Sequence, residues 1–170
     1  GHNVLCVDID EKKVKMMREG YSPIYEQDLE ELMVKNYNEG RIDYTTDYRK
    51  AYKDADAIFI GVGTPELPDG SANLNYVATV SRQIAESLEH DCLVVVKSTV
   101  PIGTNDKVEQ FIKDSLKNKN IKVEVASNPE FLAQGTAVRD TLEAKRIVIG
   151  TESKEAEAKL MEIYKPFNLP

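Results

Sequence analysis

The sequence has 170 residues, 41% hydrophobic and 30% charged, so it can bury one substantial core and has the composition of an ordinary globular domain. Its net charge of -7 argues against a nucleic-acid partner, because proteins that follow a phosphate backbone carry basic surfaces. The two cysteines show no disulfide spacing, so a reduced, cytoplasmic setting is expected. No apolar stretch is long enough to predict a membrane span, and no secretory signal opens the chain.

Short apolar runs alternate with longer amphipathic stretches, a pattern typical of repeated strand-helix units. We predict one α/β domain over residues 1–170, with a Rossmann-like, mostly parallel sheet and flanking helices. In chain order, the predicted strands are Val4–Asp8, Ile42–Thr45, Ala57–Val62, Cys92–Lys97, Val123–Ala126 and Arg146–Ile149. The predicted helices are Glu11–Glu19, Leu29–Tyr37, Asp47–Lys53, Leu74–Leu88, Thr104–Leu116 and Lys154–Tyr164.

The first residues, Gly1-His2-Asn3-Val4, are typical of a glycine helix cap followed by the entry to a strand. We therefore expect the chain to begin inside a fold, after a first βα unit.

Two aspartates, Asp8 and Asp10, lie at and just beyond the end of the first strand, which is predicted to be buried. In dinucleotide-binding folds an acidic residue at this position bonds the adenosine ribose hydroxyls, whereas the alternative role is to cap the next helix. Asp10 is better placed to cap, so ribose binding is assigned to Asp8. Lys13, one turn further, either reaches the adenosine moiety or is solvated.

Three later strands each end in a polar loop that contains a proline. These loops are Gly61-Val62-Gly63-Thr64-Pro65, Ser98-Thr99-Val100-Pro101 and Ser127-Asn128-Pro129-Glu130. An ordinary strand-to-helix turn explains the first loop equally well when it is taken alone. Because the carboxyl ends of parallel strands form the ligand crevice of open sheets, the three together predict one cleft. Its hydroxyl, amide and carboxylate groups suit nucleotide and sugar hydroxyls better than a metal, and no metal site is predicted.

Glu130 allows two interpretations. It precedes the apolar pair Phe131-Leu132, and a carboxylate beside apolar neighbours in a cleft can exchange protons near neutral pH. Alternatively, it caps a short helix that begins at Pro129, because acids favour helix N-termini. Spacing alone slightly favours the cap.

Both cysteines lie inside apolar runs, Cys6 in the first strand and Cys92 in the fourth. This placement predicts small core residues, with neither metal-ligand nor disulfide spacing.

Six segments, in this order, resemble the UDP-glucose/GDP-mannose dehydrogenase family. The resemblance covers essentially the whole chain and identifies it as the NAD-binding part of such an enzyme. The segments are Val7-Asp8-Ile9-Asp10, Pro23-Ile24-Tyr25-Glu26, Gly63-Thr64-Pro65, Asp69-Gly70-Ser71-Ala72, Lys97 to Thr104, and Ser127-Asn128-Pro129-Glu130-Phe131-Leu132.

The resemblance implies two successive NAD-dependent oxidations that convert the C6 alcohol of UDP-glucose to a carboxylate, through a cysteine thiohemiacetal and a thioester. It implies a general acid/base at Glu130, with Thr99 also near the reacting centre. The implied NAD contacts are Asp8, Lys13, Gly61, Val62, Gly63, Thr64, Pro65, Tyr76, Ser98, Thr99, Val100 and Gln134. The implied contacts to the UDP-sugar are Glu130, Phe131, Leu132, Ala133 and Gln134.

The sequence also departs from the family pattern. The first strand, its glycine-rich loop and the half that carries the catalytic cysteine are missing, and neither Cys6 nor Cys92 matches that nucleophile. Gln134 replaces a glutamate found in many members, and an amide cannot take a proton at neutral pH, so a binding role is expected there. The strands at Val4 and Ala57 should lack a shared neighbour, and the chain alone should be inactive.

The resemblance leaves the substrate and the wider context open. GDP-mannose and a UDP-N-acetylhexosamine are alternative substrates, and a noncatalytic nucleotide-binding module is an alternative function. The complete enzyme is expected to form a homo-oligomer.

Overall fold

The computed structural model describes residues 2–169, which form five strands, seven α-helices and a short 3-10 helix. The strands are β1 (Val4–Val7), β2 (Ile42–Thr45), β3 (Ala57–Ile60), β4 (Cys92–Val96) and β5 (Val123–Ser127). The α-helices are α1 (Glu11–Arg18), α2 (Leu29–Asn38), α3 (Tyr48–Lys53), α4 (Asn75–Ser87), α5 (Thr104–Ser115), α6 (Ala137–Leu142) and α7 (Lys154–Tyr164). The 3-10 helix spans Lys165–Phe167. None of the helices within residues 2–169 has the length and apolar character that crossing a bilayer requires.

The chain divides into two compact units, and each is discontinuous in sequence. The first unit contains residues 2–51, Phe131–Arg146 and Leu169. The second contains Tyr52–Glu130 and Ile147–Asn168.

The first unit is built on the parallel pair β1 and β2, in which Val4 lies opposite Ile42 and Val7 opposite Thr45. Its small core joins Val14 of α1, Met33 of α2 and Tyr44 of β2. The prediction that the first strand is buried was wrong, because Val4 is 48% exposed and Leu5 is 36% exposed. The apolar run does form β1. However, β2 is the one strand that pairs with it among the described residues, and this leaves β1 partly exposed.

The second unit contains a three-stranded parallel sheet in the order β3-β4-β5. All five residues of β4 are buried, as expected for a central strand. Leu93, Val95 and Ala126 of this sheet pack against Ala156 and Leu160 of α7, which covers one face. Helix α5 also packs on β5, and α4 packs against α5.

β3 is an edge strand in the described part of the chain, and Phe59 is 39% exposed. β1 and β3 lie in separate sheets, and no strand within residues 2–169 joins them, as the sequence led us to expect.

The predicted sixth strand, Arg146–Ile149, does not form. An isolated antiparallel bridge takes its place, in which the backbone of Gly150 exchanges hydrogen bonds of 2.9 and 2.8 Å with Ser127. A Cβ at position 150 would lie 2.4 Å from the Ser127 hydroxyl oxygen, so glycine permits this approach. The bridge is a single contact at the end of β5 and extends no ladder.

Candidate functional site

The loops after β3 and β4 are hydrogen-bonded to each other. The Lys97 N–H donates to the Ile60 carbonyl at 2.9 Å, which continues the strand pairing beyond β4. The Ser98 hydroxyl donates to the Val62 carbonyl at 2.7 Å, and the Thr64 hydroxyl donates to the Thr99 carbonyl at 3.1 Å. Two of the three predicted loops therefore form one connected polar edge.

The third loop joins this edge through Asn128, whose N–H donates to the Val96 carbonyl at 3.0 Å. Asn128 is 2% exposed, and both the oxygen and the nitrogen of its side-chain amide form hydrogen bonds. Its oxygen accepts from the Lys97 ammonium at 3.2 Å and from the Tyr164 hydroxyl, while its nitrogen donates to the Val148 carbonyl at 2.8 Å. The ends of β3, β4 and β5 are thus brought together.

Lys97 is the first residue of one of the six segments that resemble the family, but the sequence did not indicate a role for it. Burial lowers the pKa of its ammonium, and the nearby charge of Glu130 opposes that shift. The half-buried cation therefore lies close enough to the Glu130 carboxylate to interact with it electrostatically. A lysine directly after a fully apolar strand is the sequence signal that could have identified this position.

Glu130 itself is exposed at the end of the third loop. The interpretation in which it caps a helix was wrong, because residues 128–133 contain no helix and the next one begins at Ala137. The loop geometry does not test the acid/base role of Glu130, which stays a prediction.

In the first unit, Asp10 is the N-cap of α1 and accepts hydrogen bonds from the N–H groups of Lys12 and Lys13, which confirms its predicted role. The Asp8 carboxylate accepts the Asp10 N–H at 2.9 Å, and its other oxygen lies 3.9 Å from the Lys13 ammonium. The Asp8 side chain retains 33% exposure. Asp8 is therefore held in place at the carboxyl end of β1 and stays accessible.

The remaining predicted residues lie on accessible surfaces. In the first unit, Phe131 is 65% exposed and Leu132 is 41% exposed, and Ala133 and Gln134 are also exposed. The Arg146 guanidinium lies over the Phe131 ring, 5.6 Å from its centroid. In the second unit, Tyr76 is 54% exposed in the first turn of α4, while Pro65 is exposed and Val100 is partly buried.

A cavity of about 520 Å³ lies elsewhere in the second unit, lined by the second half of α5 and by residues 119–124. It adjoins the beginning of β5 and contains none of the predicted site residues. Because ligand crevices of parallel sheets lie at the carboxyl ends of the strands, we favour the connected loops as the functional site.

Residues 1–168 match the model of the UDP-glucose/GDP-mannose dehydrogenase family, NAD binding domain. The chain belongs to this dehydrogenase family. It is 47% identical to UDP-glucose 6-dehydrogenase YwqF of Bacillus subtilis over 170 residues, which is all of this chain and 38% of that protein. The chain thus spans well under half the length of this relative.

Two solved structures from the dehydrogenase family show the same fold. A UDP-glucose dehydrogenase from Pyrobaculum islandicum superimposes with a TM-score of 0.95, and a GDP-mannose dehydrogenase from Pseudomonas aeruginosa with a TM-score of 0.94. Each is 38% identical to this chain and covers 100% of it, while the chain covers 40% of each. The predicted Rossmann-like α/β class is confirmed.

The family match also confirms the predicted cofactor, NAD. The described residues fit such a ligand in the second unit, since a Cβ built on Gly61 or Gly63 would meet no other atom within 4 Å. A flat ring can therefore approach this backbone closely. In the first unit, the accessible carboxylate of Asp8 supplies acceptors for ribose hydroxyls. The individual contacts of these residues with NAD stay predictions.

Neither cysteine of this dehydrogenase-family chain has the character of a nucleophile. Burial raises the pKa of Cys92 to about 12 and raises the pKa of the half-buried Cys6 thiol.

Since the thiolate is the reactive form, iodoacetamide should alkylate Cys92 at least about a hundredfold more slowly in the folded protein than in guanidinium. Mass spectrometry of timed samples measures both rates, with the less buried Cys6 as the internal comparison. Equal rates for Cys92 in the two solvents would contradict its burial.

Proposed function

We propose that this chain is the NAD-binding part of a longer enzyme that oxidises UDP-glucose to UDP-glucuronate. The observation that carries the proposal is the hydrogen-bonded edge formed by the ends of β3, β4 and β5 in a chain of this family. The match to UDP-glucose 6-dehydrogenases at 40 to 47% identity supports the choice of sugar.

In this proposal each group has a distinct task. NAD held by the residues named below would supply the hydride acceptor for oxidation of the sugar. Asp8 accepts hydrogen bonds from the ribose hydroxyls, assisted by Lys13. The bonds from Ser98 to Val62 and from Thr64 to Thr99 hold the two cofactor loops in a fixed shape. The remaining proposed cofactor contacts are Gly61, Gly63, Pro65, Tyr76, Val100 and Gln134.

Glu130 and Thr99 lie nearest the reacting centre in the proposed complex. Glu130 takes a proton from the water that hydrolyses the thioester, because an accessible carboxylate can act as a general base. Phe131, Leu132, Ala133 and Gln134 border the sugar, where the Gln134 amide binds without exchanging protons. The cysteine nucleophile belongs to the rest of the longer enzyme, outside this chain. In this proposal the complete enzyme is cytoplasmic and homo-oligomeric.

A second candidate substrate is GDP-mannose. It is favoured by one observation, namely that the Pseudomonas aeruginosa GDP-mannose dehydrogenase structure is as similar to this chain, at 38% identity, as the Pyrobaculum islandicum UDP-glucose enzyme.

The full-length protein that contains this chain should form two molecules of NADH for each UDP-glucose consumed. NADH formation should be measured with UDP-glucose, GDP-mannose and a UDP-N-acetylhexosamine, and the 170-residue chain should be inactive with all three. If the enzyme oxidises another of these nucleotide sugars faster, that sugar is the substrate and UDP-glucose is not. Absence of turnover with every sugar would favour a noncatalytic nucleotide-binding module, and turnover by the chain alone would contradict the need for an external cysteine.

A further inference from the structure

Glu26 in the first unit is a buried carboxylate with partners far away in the sequence. It is 9% exposed, and the other buried polar side chains of the described residues are uncharged. One oxygen accepts the Gly135 N–H at 2.8 Å, and the other accepts the Ala137 N–H at 3.0 Å. These partners lie 109 and 111 residues further along the chain.

The geometry requires a carboxylate. Ala137 is the first residue of α6, where N–H groups have no partner within the helix and the helix dipole favours negative charge. Each of the two oxygens of Glu26 serves a different N–H group. Glutamine at this position would keep one acceptor and would direct an NH2 group at the second N–H.

A second carboxylate holds the same segment. One oxygen of Asp140 accepts from the Thr136 hydroxyl at 2.7 Å and from the Ala133 N–H at 3.3 Å. The hydrogen bond from Thr136, with a further contribution from Arg139, lowers the pKa of Asp140, so this carboxylate stays ionised at neutral pH. The backbone N–H groups on both sides of Gln134 are thus bonded to carboxylates.

Gly135 completes this arrangement. Its φ of +87° lies in the left-handed region, which glycine adopts at little cost. The turn at Gly135 follows Gln134 directly, and its N–H is the one that donates to Glu26. The conformation of Gln134 therefore depends on the hydrogen bond from its neighbour to Glu26.

We propose that Glu26 is a positioning residue for the nucleotide-sugar site, because it fixes the backbone of residues 133–137 and with it the orientation of Gln134. The inference rests on the proposed function, in which Phe131 to Gln134 border the sugar. Glu26 acts through the segment and makes no contact with the substrate. Its role is thus distinct from that of Glu130, which carries the proton.

The test is Glu26→Gln in the full-length protein, with steady-state kinetics for both substrates. Since a displacement of about 1 Å can cost as much as about a hundredfold in rate, we expect the KM for the nucleotide sugar to rise at least about tenfold. The KM for NAD should rise by a clearly smaller factor, because Gln134 is the one proposed cofactor contact in this segment and the others lie elsewhere. Asp140→Asn should shift the same KM in the same direction by a smaller factor.

The matched control is Glu30→Gln. Glu30 belongs to the same unit and also accepts one backbone N–H, from Ser22 at 2.9 Å, but it is exposed and has no bond to residues 133–137 among those described. This variant should leave both KM values unchanged. A Glu26→Gln enzyme that matches the Glu30→Gln enzyme, or that loses affinity for NAD and sugar equally, would overturn the proposal.

Amide hydrogen exchange separates this proposal from the proposed function. In the wild-type full-length protein the Gly135 and Ala137 amides should be protected, and Glu26→Gln should accelerate their exchange at least about tenfold. Unprotected wild-type amides would overturn the Glu26 inference even if the enzyme is active. Protected amides in a protein that oxidises no nucleotide sugar would instead refute the proposed function, and with it the substrate role of the segment.

Discussion

Replacing Glu130 by glutamine in the full-length protein is expected to lower kcat by a factor of about 100 to 10,000, the usual contribution of a general acid/base. The amide has nearly the same shape as the carboxylate but exchanges no proton at neutral pH. Because the loop after β5 keeps its backbone bond from Asn128 to Val96, the affinity for NAD should change little. Rates of NADH formation under saturating substrates measure the effect.

Glu109→Gln supplies the control for this experiment. Glu109 lies in the same unit on α5, pairs with Lys113 and lines the cavity that is remote from the proposed site. Its replacement should leave kcat unchanged. A Glu130→Gln enzyme whose kcat stays within about threefold of the wild-type value would remove Glu130 from the acid/base role.

Asn128→Ala is expected to reduce the free energy of unfolding by about 2–3 kcal/mol, because it leaves buried polar groups without partners. The substitution removes the acceptor of the Lys97 ammonium and of the Tyr164 hydroxyl, and the donor to the Val148 carbonyl. Lys97 and Tyr164 are only half-buried, so water replaces part of the loss. Urea denaturation of the wild-type and variant proteins measures the difference.

Asn120→Ala is the matched control, since Asn120 is exposed and its substitution should change stability by less than about 0.5 kcal/mol. The two asparagines lie in the same unit, so both variants report on the same folded part of the chain. Equal unfolding curves for the two variants would show that the network around Asn128 contributes little.

Periodicity and strand-end chemistry predicted most of the fold. The five strands and six of the seven α-helices of the described residues follow from apolar runs and amphipathic spacing, which are local properties of the sequence. Helix α6 was missed, and its N-terminus is held by Glu26, a partner that is distant in sequence. The apolar run at Ile147–Ile149 resembles a strand in sequence, but hydrogen-bond partners decide whether a ladder forms.

The candidate site was predicted less completely than the fold. Motifs at the strand ends located the three loops. The hydrogen bonds from Thr64 to Thr99 and from Ser98 to Val62 follow from the meeting of two of these loops at one edge of the sheet. The roles of Lys97, Asn128 and Glu26 depend on contacts between residues 20 to 111 positions apart. A single sequence does not show which residues pair in this way, because every one of these residue types is also common on protein surfaces.

The discontinuous first unit has a consequence for the order in which the protein folds during synthesis. The β3-β4-β5 sheet is complete once residue 127 has left the ribosome, whereas the first unit still awaits Phe131–Arg146. Closing so long a loop costs entropy before the bonds to Glu26 can form. A nascent chain halted before Gly135 should therefore contain β1 and β2 but leave the carboxylate of Glu26 without these two partners. The segment proposed to border the sugar would be among the last parts of the chain to become ordered.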